Sequence, residues 1–528
     1  MKVIVAEKIS ARALQLLQSE ARWTVLAPEQ VEGKLAAALA DADALIVRSA
    51  VQVDAALLAT ARKLRVIGRA GIGVDNIDLD AATRQGIAVM NTPGANAVAV
   101  AEHTFALALA LARHLPRANT LTKSGKWEKK TLQGSELRGK TLGIVGLGRI
   151  GMEVAKRAAV FGMNVVAHDP FVSPAVAREA GIELAALDDV LAAADYLTLH
   201  LAPTPQSAGF INAETLRKMK KGARLINCAR GELVDEAALA QALRSGHVAG
   251  AALDVFAQEP PKDSPLLALE NVILTPHIAG STHAAQEAVG YQIAVQVREY
   301  LRRGVIQNAV NVPSVSHDEY VEMQPYIVLA ERLGSFLAQA VDGGLQEIAL
   351  RYSGPVANWK TQLLRSAAIK GVLNPMLAEK ANLVNAAAIA EQRGIRVSEA
   401  GKSKVSGGSV GSVLTLSLRT TTGEHVVKGA VLHGESPRLL AVDGIDIEAP
   451  LERNLIYLRN RDVPGVIGRI GTILGEHKIN IANFSLGRGE AGGAEAVSVV
   501  HVDSRVPEPV LKKLLAVLAI TVARSIRL

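Results

Sequence analysis

The stretch from Thr141 to about residue 159 constrains this chain more than any other. A β-branched run, Thr141–Val145, leads straight into Gly146-Leu147-Gly148-Arg149-Ile150-Gly151 and then into a helical pattern. G-x-G-x-x-G in that strand-turn-helix setting has a specific physical use: Gly146 permits a tight turn, Gly148 lets backbone approach a pyrophosphate, and Gly151 lets helix and strand pack closely. The unpaired N–H groups and positive dipole end of the helix start favour phosphate oxygens. The next β-type run ends at His168-Asp169-Pro170, with Asp169 18 residues beyond Gly151. A carboxylate there accepts the ribose hydroxyls of NAD and repels the 2′-phosphate of NADP, so NAD is the expected cofactor.

The surrounding pattern is α/β. Short apolar runs at 2–6, 44–48, 64–68 and 87–90 alternate with Ala/Leu-rich helical stretches, the rhythm of a parallel sheet. Asn91-Thr92-Pro93-Gly94 breaks it, and a long apolar helix over 97–114 carries the chain into a second series, with strands expected at 141–145, 164–168, 196–200, 224–227, 250–254 and 272–275. Six strands with intervening helices suit a doubly wound nucleotide-binding domain. A helical stretch over 283–303 leads back toward the first domain. A Pro/Ser stretch at 312–316 reads as a linker, and the Gly/Ser-rich 401–411 as a loop within a third domain. The last segment reads strand 454–458, helix 465–477, strands 480–487 and 494–502, helix 508–518 and strand 519–527. The expected architecture is two doubly wound parallel-sheet domains, a flavodoxin-like one at 1–96 and 282–311 and a Rossmann one at 97–281. An α+β domain at 312–451 and a ferredoxin-like βαββαβ domain at 453–528 follow.

Composition bounds the function class. A chain of 528 residues predicts several domains at roughly 100–200 residues each. Aromatic residues are 3%, which argues against stacking platforms for nucleic acid, and a net charge of +7 without a Lys/Arg run suits small anions better than DNA or RNA. Charges interrupt every apolar stretch before the ~18–20 residues that span a bilayer, so no membrane is expected. The single cysteine, Cys228, and a first segment that reads as a strand instead of a signal peptide lead to a reducing, cytoplasmic setting.

Three segments at strand ends hold the groups that hydride removal from a 2-hydroxy acid needs: 227–231 with Arg230, 254–260 with Asp254 and Glu259, and 275–280 with His277 and Gly280. Arg230 can fork onto a carboxylate. His277 can take the hydroxyl proton as hydride leaves, and Glu259 can fix its tautomer. Singly, each has an ordinary structural reading as an ion pair, a loop residue or a packed histidine. Together, in this order and downstream of the glycine fingerprint, they point to catalysis.

With Gly68-Arg69-Ala70-Gly71-Ile72-Gly73-Val74-Asp75-Asn76-Ile77-Asp78 added, residues 1–311 resemble the D-isomer-specific 2-hydroxyacid dehydrogenase family, and the whole length is similar to its long-form, phosphoglycerate-oxidising branch. The resemblance implies that Arg230, Glu259 and His277 are catalytic. It implies that Gly146, Gly148, Arg149, Ile150, Gly151 and Asp169 hold the adenosine and pyrophosphate side of NAD. Cys228, Ala229, Arg230, Asp254, His277 and Gly280 would line the nicotinamide side, with Asp254 meeting the carboxamide. Substrate, 3-phosphoglycerate, would lie in the cleft with its carboxylate on the amides of Gly71, Ile72 and Gly73. Its phosphate would fall to Arg48 and Arg69, for each of which an ion pair capping a strand end stays open. Asn91, Thr92 and Asn96 hinge the domains or touch substrate; Glu102 and His103 read as packing or subunit contacts.

The segment Asn460-Arg461-Asp462-Val463-Pro464-Gly465 resembles the ACT domain, which binds amino acids at paired interfaces. That likeness implies L-serine as a feedback effector held by Asn460, Asp462, Pro464, Gly465 and Asn480, and a homo-oligomer, a tetramer. Residues 312–451 resemble the intervening domain of the long forms, with no site assigned. Two rivals stay open: another D-2-hydroxy acid as substrate, and a non-catalytic NAD-sensing scaffold.

Overall fold

The computed structural model describes every residue except 202–203, 205–206, 314, 316, 378–380, 403–410 and 490–494. Its first sheet comprises β1 (Lys2–Val5), β2 (Thr24–Leu26), β3 (Ala44–Val47), β4 (Val66–Arg69) and β5 (Ala88–Met90), all parallel in the order β2-β1-β3-β4-β5. These strands are apolar on both faces because helices cover both, as parallel crossovers require. β2 is a half-exposed trio that alternation does not single out.

The second sheet comprises β6 (Thr141–Val145), β7 (Asn164–His168), β8 (Glu183–Leu184), β9 (Tyr196–Leu199), β10 (Ala223–Asn227), β11 (Val248–Leu253) and β12 (Val272–Leu274). Its order is β12-β11-β10-β9-β6-β7-β8, again parallel. It has seven strands where the sequence reading counted six. The extra one, β8, is two residues paired beside β7, too short for any periodicity to reveal. Strand order reverses beside β6, so the glycine turn opens at the crevice where such sheets bind ligands.

The helix Ala97–Arg113 backs this sheet. Its buried positions Ala97, Ala101, Thr104, Ala108, Leu111 and Ala112 recur at helical spacing, and Phe105 stacks on Phe161 at 5.1 Å. The helix His283–Arg303 starts at Thr282, whose side chain accepts from Ala285 N–H, and stops at Gly304 in the left-handed conformation. It lies against the first sheet over Gly68, where a Cβ would stand 2.8 Å from atoms of both Ile293 and Val297. Among the described residues no single helix is long and apolar enough to cross a membrane.

A third sheet joins β13 (Leu345–Ser353), β14 (Arg396–Lys402), β15 (Val413–Thr420), β16 (Gly423–Leu432), β17 (Ser436–Val442) and β18 (Ile445–Pro450) in the order β14-β13-β15-β16-β17-β18, with only β13–β14 parallel. The expected loop at 401–411 begins inside β14, and 403–410 lie outside the described residues, as do 314 and 316 of the expected linker. The helices His317–Ala340 and Gln362–Leu373 press together at Gly334 and Gly371, where backbone oxygens of the opposite helix leave no room for a side chain.

The last sheet, β19 (Asn454–Arg461), β20 (Ile481–Arg488), β21 (Glu495–Val502) and β22 (Ile520–Arg527), is antiparallel in the order β20-β21-β19-β22. With the helices Val466–Glu476 and Glu508–Leu515 it makes the βαββαβ unit. Alternation divides its residues between two cores. Ile456, Leu458 and Val500 face these helices, whereas Leu455, Tyr457, Val497 and Val499 pack toward the third domain, with Tyr457 edge-on to Phe336 at 5.5 Å.

Gly68→Val should push the returning helix off the first sheet, lowering stability by about 1–3 kcal/mol. A shift of the chemical-unfolding midpoint checks this, and an unchanged midpoint would contradict the packing described.

Candidate active site

The glycine turn is built as its sequence requires. Gly146 has φ +94°, and a Cβ on it would stand 2.6 Å from the His200 carbonyl oxygen; one on Gly151 would stand 2.2 Å from the Gly146 carbonyl oxygen. Gly148 faces open space and leads into the helix Arg149–Val160 without a side-chain cap, so first-turn N–H groups stay available to a ligand. Asp169 holds the turn, one carboxylate oxygen accepting from Leu147 N–H (2.7 Å) and the other from Phe171 N–H (2.8 Å). Arg149 reaches across to the Pro93 carbonyl at the chain crossing. A cleft of about 420 Å³ lies here, lined by Ile72, Asn91, Gly148, Arg149, Ile150 and His200 among others.

On the carboxyl ends of β11 and β12, Glu259 and His277 come together. Glu259 Oε2 lies 2.9 Å from His277 Nδ1, and Oε1 accepts from the Phe256 amide (3.2 Å). The side chains are 51% exposed for His277 and 39% for Glu259, accessible to a substrate. His277 has φ +52°, a left-handed backbone that costs a non-glycine residue about 1 kcal/mol and needs support from its surroundings. Asp254 supplies it. Its backbone carbonyl accepts from His277 N–H (2.8 Å), and its carboxylate accepts from Thr275 Oγ1 (2.6 Å), Ile278 N–H (2.9 Å) and Ala279 N–H (2.8 Å). Burial would raise this carboxyl, but these hydrogen bonds and the nearby His103 outweigh it and hold the group below its ordinary value. The Asp254 side chain has 0% exposure, and its carboxylate, bonded to the 275–279 loop, organises that loop.

Arg230 enters from the end of β10. Its loop touches the one bearing Glu259, since a Cβ on Gly231 would overlap the Phe256–Ala257 backbone. Its guanidinium crosses to the first domain, with Nε 3.2 Å from Asp75 and Nη2 where a Cβ on Gly73 would be. Arg69, at the end of β4, curls over Gly71 in the same way. Burial and the adjacent Arg230 and Arg48 cations push its guanidinium below its ordinary value, opposed by Asp75 and Glu7. Arg48 follows the neighbouring β3 and lines a separate hollow of about 540 Å³ with Glu7 and Lys8. The Gly71 N–H donates to the Arg69 carbonyl (2.9 Å). Asn91 and Thr92 brace the turn from below through the carbonyls of Ile72 (2.6 Å) and Gly71 (3.2 Å). Asp75, the partner of Arg230, was visible only inside the glycine motif. Cys228 is buried, its thiol pushed up to about 12 by burial.

Family models match residues 105–279 as the NAD-binding domain of D-isomer-specific 2-hydroxyacid dehydrogenases, 322–443 as a D-3-phosphoglycerate dehydrogenase intervening domain, and 455–519 as an ACT domain. The chain is 42% identical over 515 residues to the D-3-phosphoglycerate dehydrogenase of Methanocaldococcus jannaschii, covering 97% of each chain. To that of Bacillus subtilis it is 40% identical over 519 residues, again 97% of each. The chain belongs to the D-3-phosphoglycerate dehydrogenase family. Among solved structures, the TT0316 protein of Thermus thermophilus is 37% identical with a TM-score of 0.54, matching 59% of this chain and 100% of that one. The D-lactate dehydrogenase of Aquifex aeolicus, solved with NAD and lactic acid, is 29% identical with a TM-score of 0.53, matching 60% and 100%.

In this dehydrogenase the ACT loop gathers part of the expected effector set. Asn460 is buried at the end of β19 with its Oδ1 unpartnered, Asp462 lies 3.4 Å from Arg488, and Pro464 precedes Gly465, which starts the helix Val466–Glu476 at φ +89°. Asn480 follows the far end of that helix and donates to Asp503 (2.9 Å), so within one chain it lies at the opposite end of the sheet from Asn460.

His200, which sequence reasoning passed over, borders the cleft. Its Nε2 meets Thr198 Oγ1 (3.0 Å), and burial pushes its pKa down to about 4. The unfolded chain therefore binds the extra proton first, and stability should fall as pH drops from about 6.5 to about 4, by up to about 3 kcal/mol. Urea midpoints at pH 7 and 5 for wild type and His200→Gln check this; equal pH slopes in the two proteins contradict it.

Proposed function

We propose that the chain oxidises the C2 hydroxyl of 3-phospho-D-glycerate to 3-phosphohydroxypyruvate with NAD, the first step toward L-serine, in the cytoplasm. The observation that carries this reading is the exposed Glu259–His277 pair at 2.9 Å, combined with Arg69 and Arg230 converging on the Gly71–Gly73 turn. The domain assignments that go with it are 1–96 and 282–311 for substrate, 97–281 for NAD, 312–451 intervening, and 453–528 ACT.

NAD fits the residues present: an open Gly148, an uncapped helix start and Asp169 beside the turn suit pyrophosphate and ribose. When bound, NAD accepts the hydride from C2. The protein's own groups do the rest. His277 donates Nδ1–H to Glu259, which leaves Nε2 to take the C2 hydroxyl proton. Arg230 and the amides of Ile72 and Gly73 hold the substrate carboxylate, while Arg69, with Arg48 just after the adjacent strand, holds the phosphate. His277→Ala should lower kcat/KM about 10³-fold. Arg69→Met should raise KM for 3-phosphoglycerate about tenfold or more while changing unphosphorylated D-glycerate little. NADH absorbance with both acids checks this. Equal losses on the two acids would move the assignment to another D-2-hydroxy acid, and full turnover by His277→Ala would remove the base.

L-serine is the proposed effector, at Asn460, Asp462, Pro464, Gly465 and Asn480 of paired ACT domains, where a first helical turn meets a carboxylate and polar side chains meet an ammonium. A homo-oligomer, a tetramer, follows from the pairing habit of ACT domains and from the helix Leu115–Lys123, which has no buried residue in the single chain. Serine inhibition that Asn460→Ala weakens about tenfold, with uninhibited kcat retained, is the expected result. Wild-type turnover indifferent to serine contradicts it.

A further inference from the structure

His103 has no place in the chemistry above, yet it reaches the catalytic loop. Its Nε2 lies 3.2 Å from Thr275 Oγ1 and 3.5 Å from Asp254 Oδ1. Thr275 has one hydroxyl proton, and the 2.6 Å bond to Asp254 uses it. His103 must therefore be the donor to Thr275, with Nε2 protonated. The result is a relay from helix to loop: His103 Nε2–H donates to Thr275 Oγ1, Thr275 Oγ1–H donates to Asp254, and the Asp254 carboxylate accepts from the amides of Ile278 and Ala279 on the far side of His277.

The same helix meets the loop a second time. Asn96, just before its first turn, puts its amide 2.8 Å from where a Cβ on Gly280 would stand. Positions 96 and 103 are two helical turns apart and share a face, so Ala97–Arg113 abuts both ends of the 275–280 loop. Between those ends His277 keeps its left-handed backbone.

We propose that His103 is a positioning residue for the dehydrogenase reaction. Through Thr275 and Asp254 it fixes the backbone that aims the His277 imidazole, without touching substrate. This rests on His277 being the base.

The test is steady-state turnover of 3-phosphoglycerate, NADH binding by fluorescence, and thermal unfolding for wild type, His103→Leu, His103→Gln and His277→Ala. His103→Leu should lose about tenfold in kcat with KM for NAD and NADH affinity held within about twofold. His103→Gln, whose amide N–H can stand in for Nε2–H, should recover most of the loss. A wild-type kcat in His103→Leu, a kcat loss matched by an equal loss of NADH affinity, or no recovery with Gln overturns the proposal. If His103→Leu does not fold, Thr275→Val and Thr275→Ser read the relay from its other end: Val should lose about tenfold in kcat and Ser should keep it, and equal values overturn it. Turnover retained by His277→Ala overturns the assignment of the base itself, whereas its loss beside a normal His103→Leu overturns only the relay.

Discussion

An ionised carboxylate removed from water is unfavourable by several kcal/mol unless hydrogen bonds replace its hydration, and Asp254 is sealed with a set of donors that does this. Those donors come from Thr275, Ile278 and Ala279, so satisfying the charge and shaping the loop are one event. The strained backbone of His277 persists because the residues on both sides of it are bonded to the same group. Apolar replacement of Asp254 would remove the charge and also release the loop that carries the exposed imidazole.

Two parallel sheets confront one another through their carboxyl-end loops. The approach is close because Gly73 stands where a side chain would collide with the guanidinium of Arg230. Burial, together with the neighbouring Arg230 and Arg48 cations, lowers the affinity of Arg69 for its proton, with Asp75 and Glu7 acting against them. A dianionic phosphate beside a carboxylate is the kind of ligand that offsets those cations.

The last two domains are not loosely tethered. One face of the ACT sheet shares its apolar core with the helix His317–Ala340, and Asn382 donates to the Gly86 carbonyl (2.8 Å) in the turn before β5. β5 leads to Asn91 and Thr92, the residues that brace the Gly71–Ile72 carbonyls. A contiguous path of packed and hydrogen-bonded groups thus links the third domain to the Gly71–Gly73 turn, and coupling along it requires an effector that binds two arrangements of that path unequally.

Much of this was legible in the residues because it depends on neighbours in the chain. Strand, glycine turn and helix at 141–160, the returning helix His283–Arg303, and the βαββαβ order of the last domain all follow from period and turn chemistry. The residue types for proton and anion handling, Glu259, His277, Arg230 and Arg69, also stood out. What remained hidden depends on partners far away in sequence: β8 exists because β7 offers it an edge, Asp254 is sealed because the loop closes over it, and Asn480 lies at the other end of its sheet from Asn460 because a helix intervenes. His103 and Thr275 are 172 positions apart, and no local pattern relates them. The sequence by itself determined which elements form and which chemistry they carry, since those are set within a few residues. Only the tertiary structure decided which polar groups use their hydrogen bonds on one another and which remain for a ligand, because that depends on how distant surfaces exclude water when they meet.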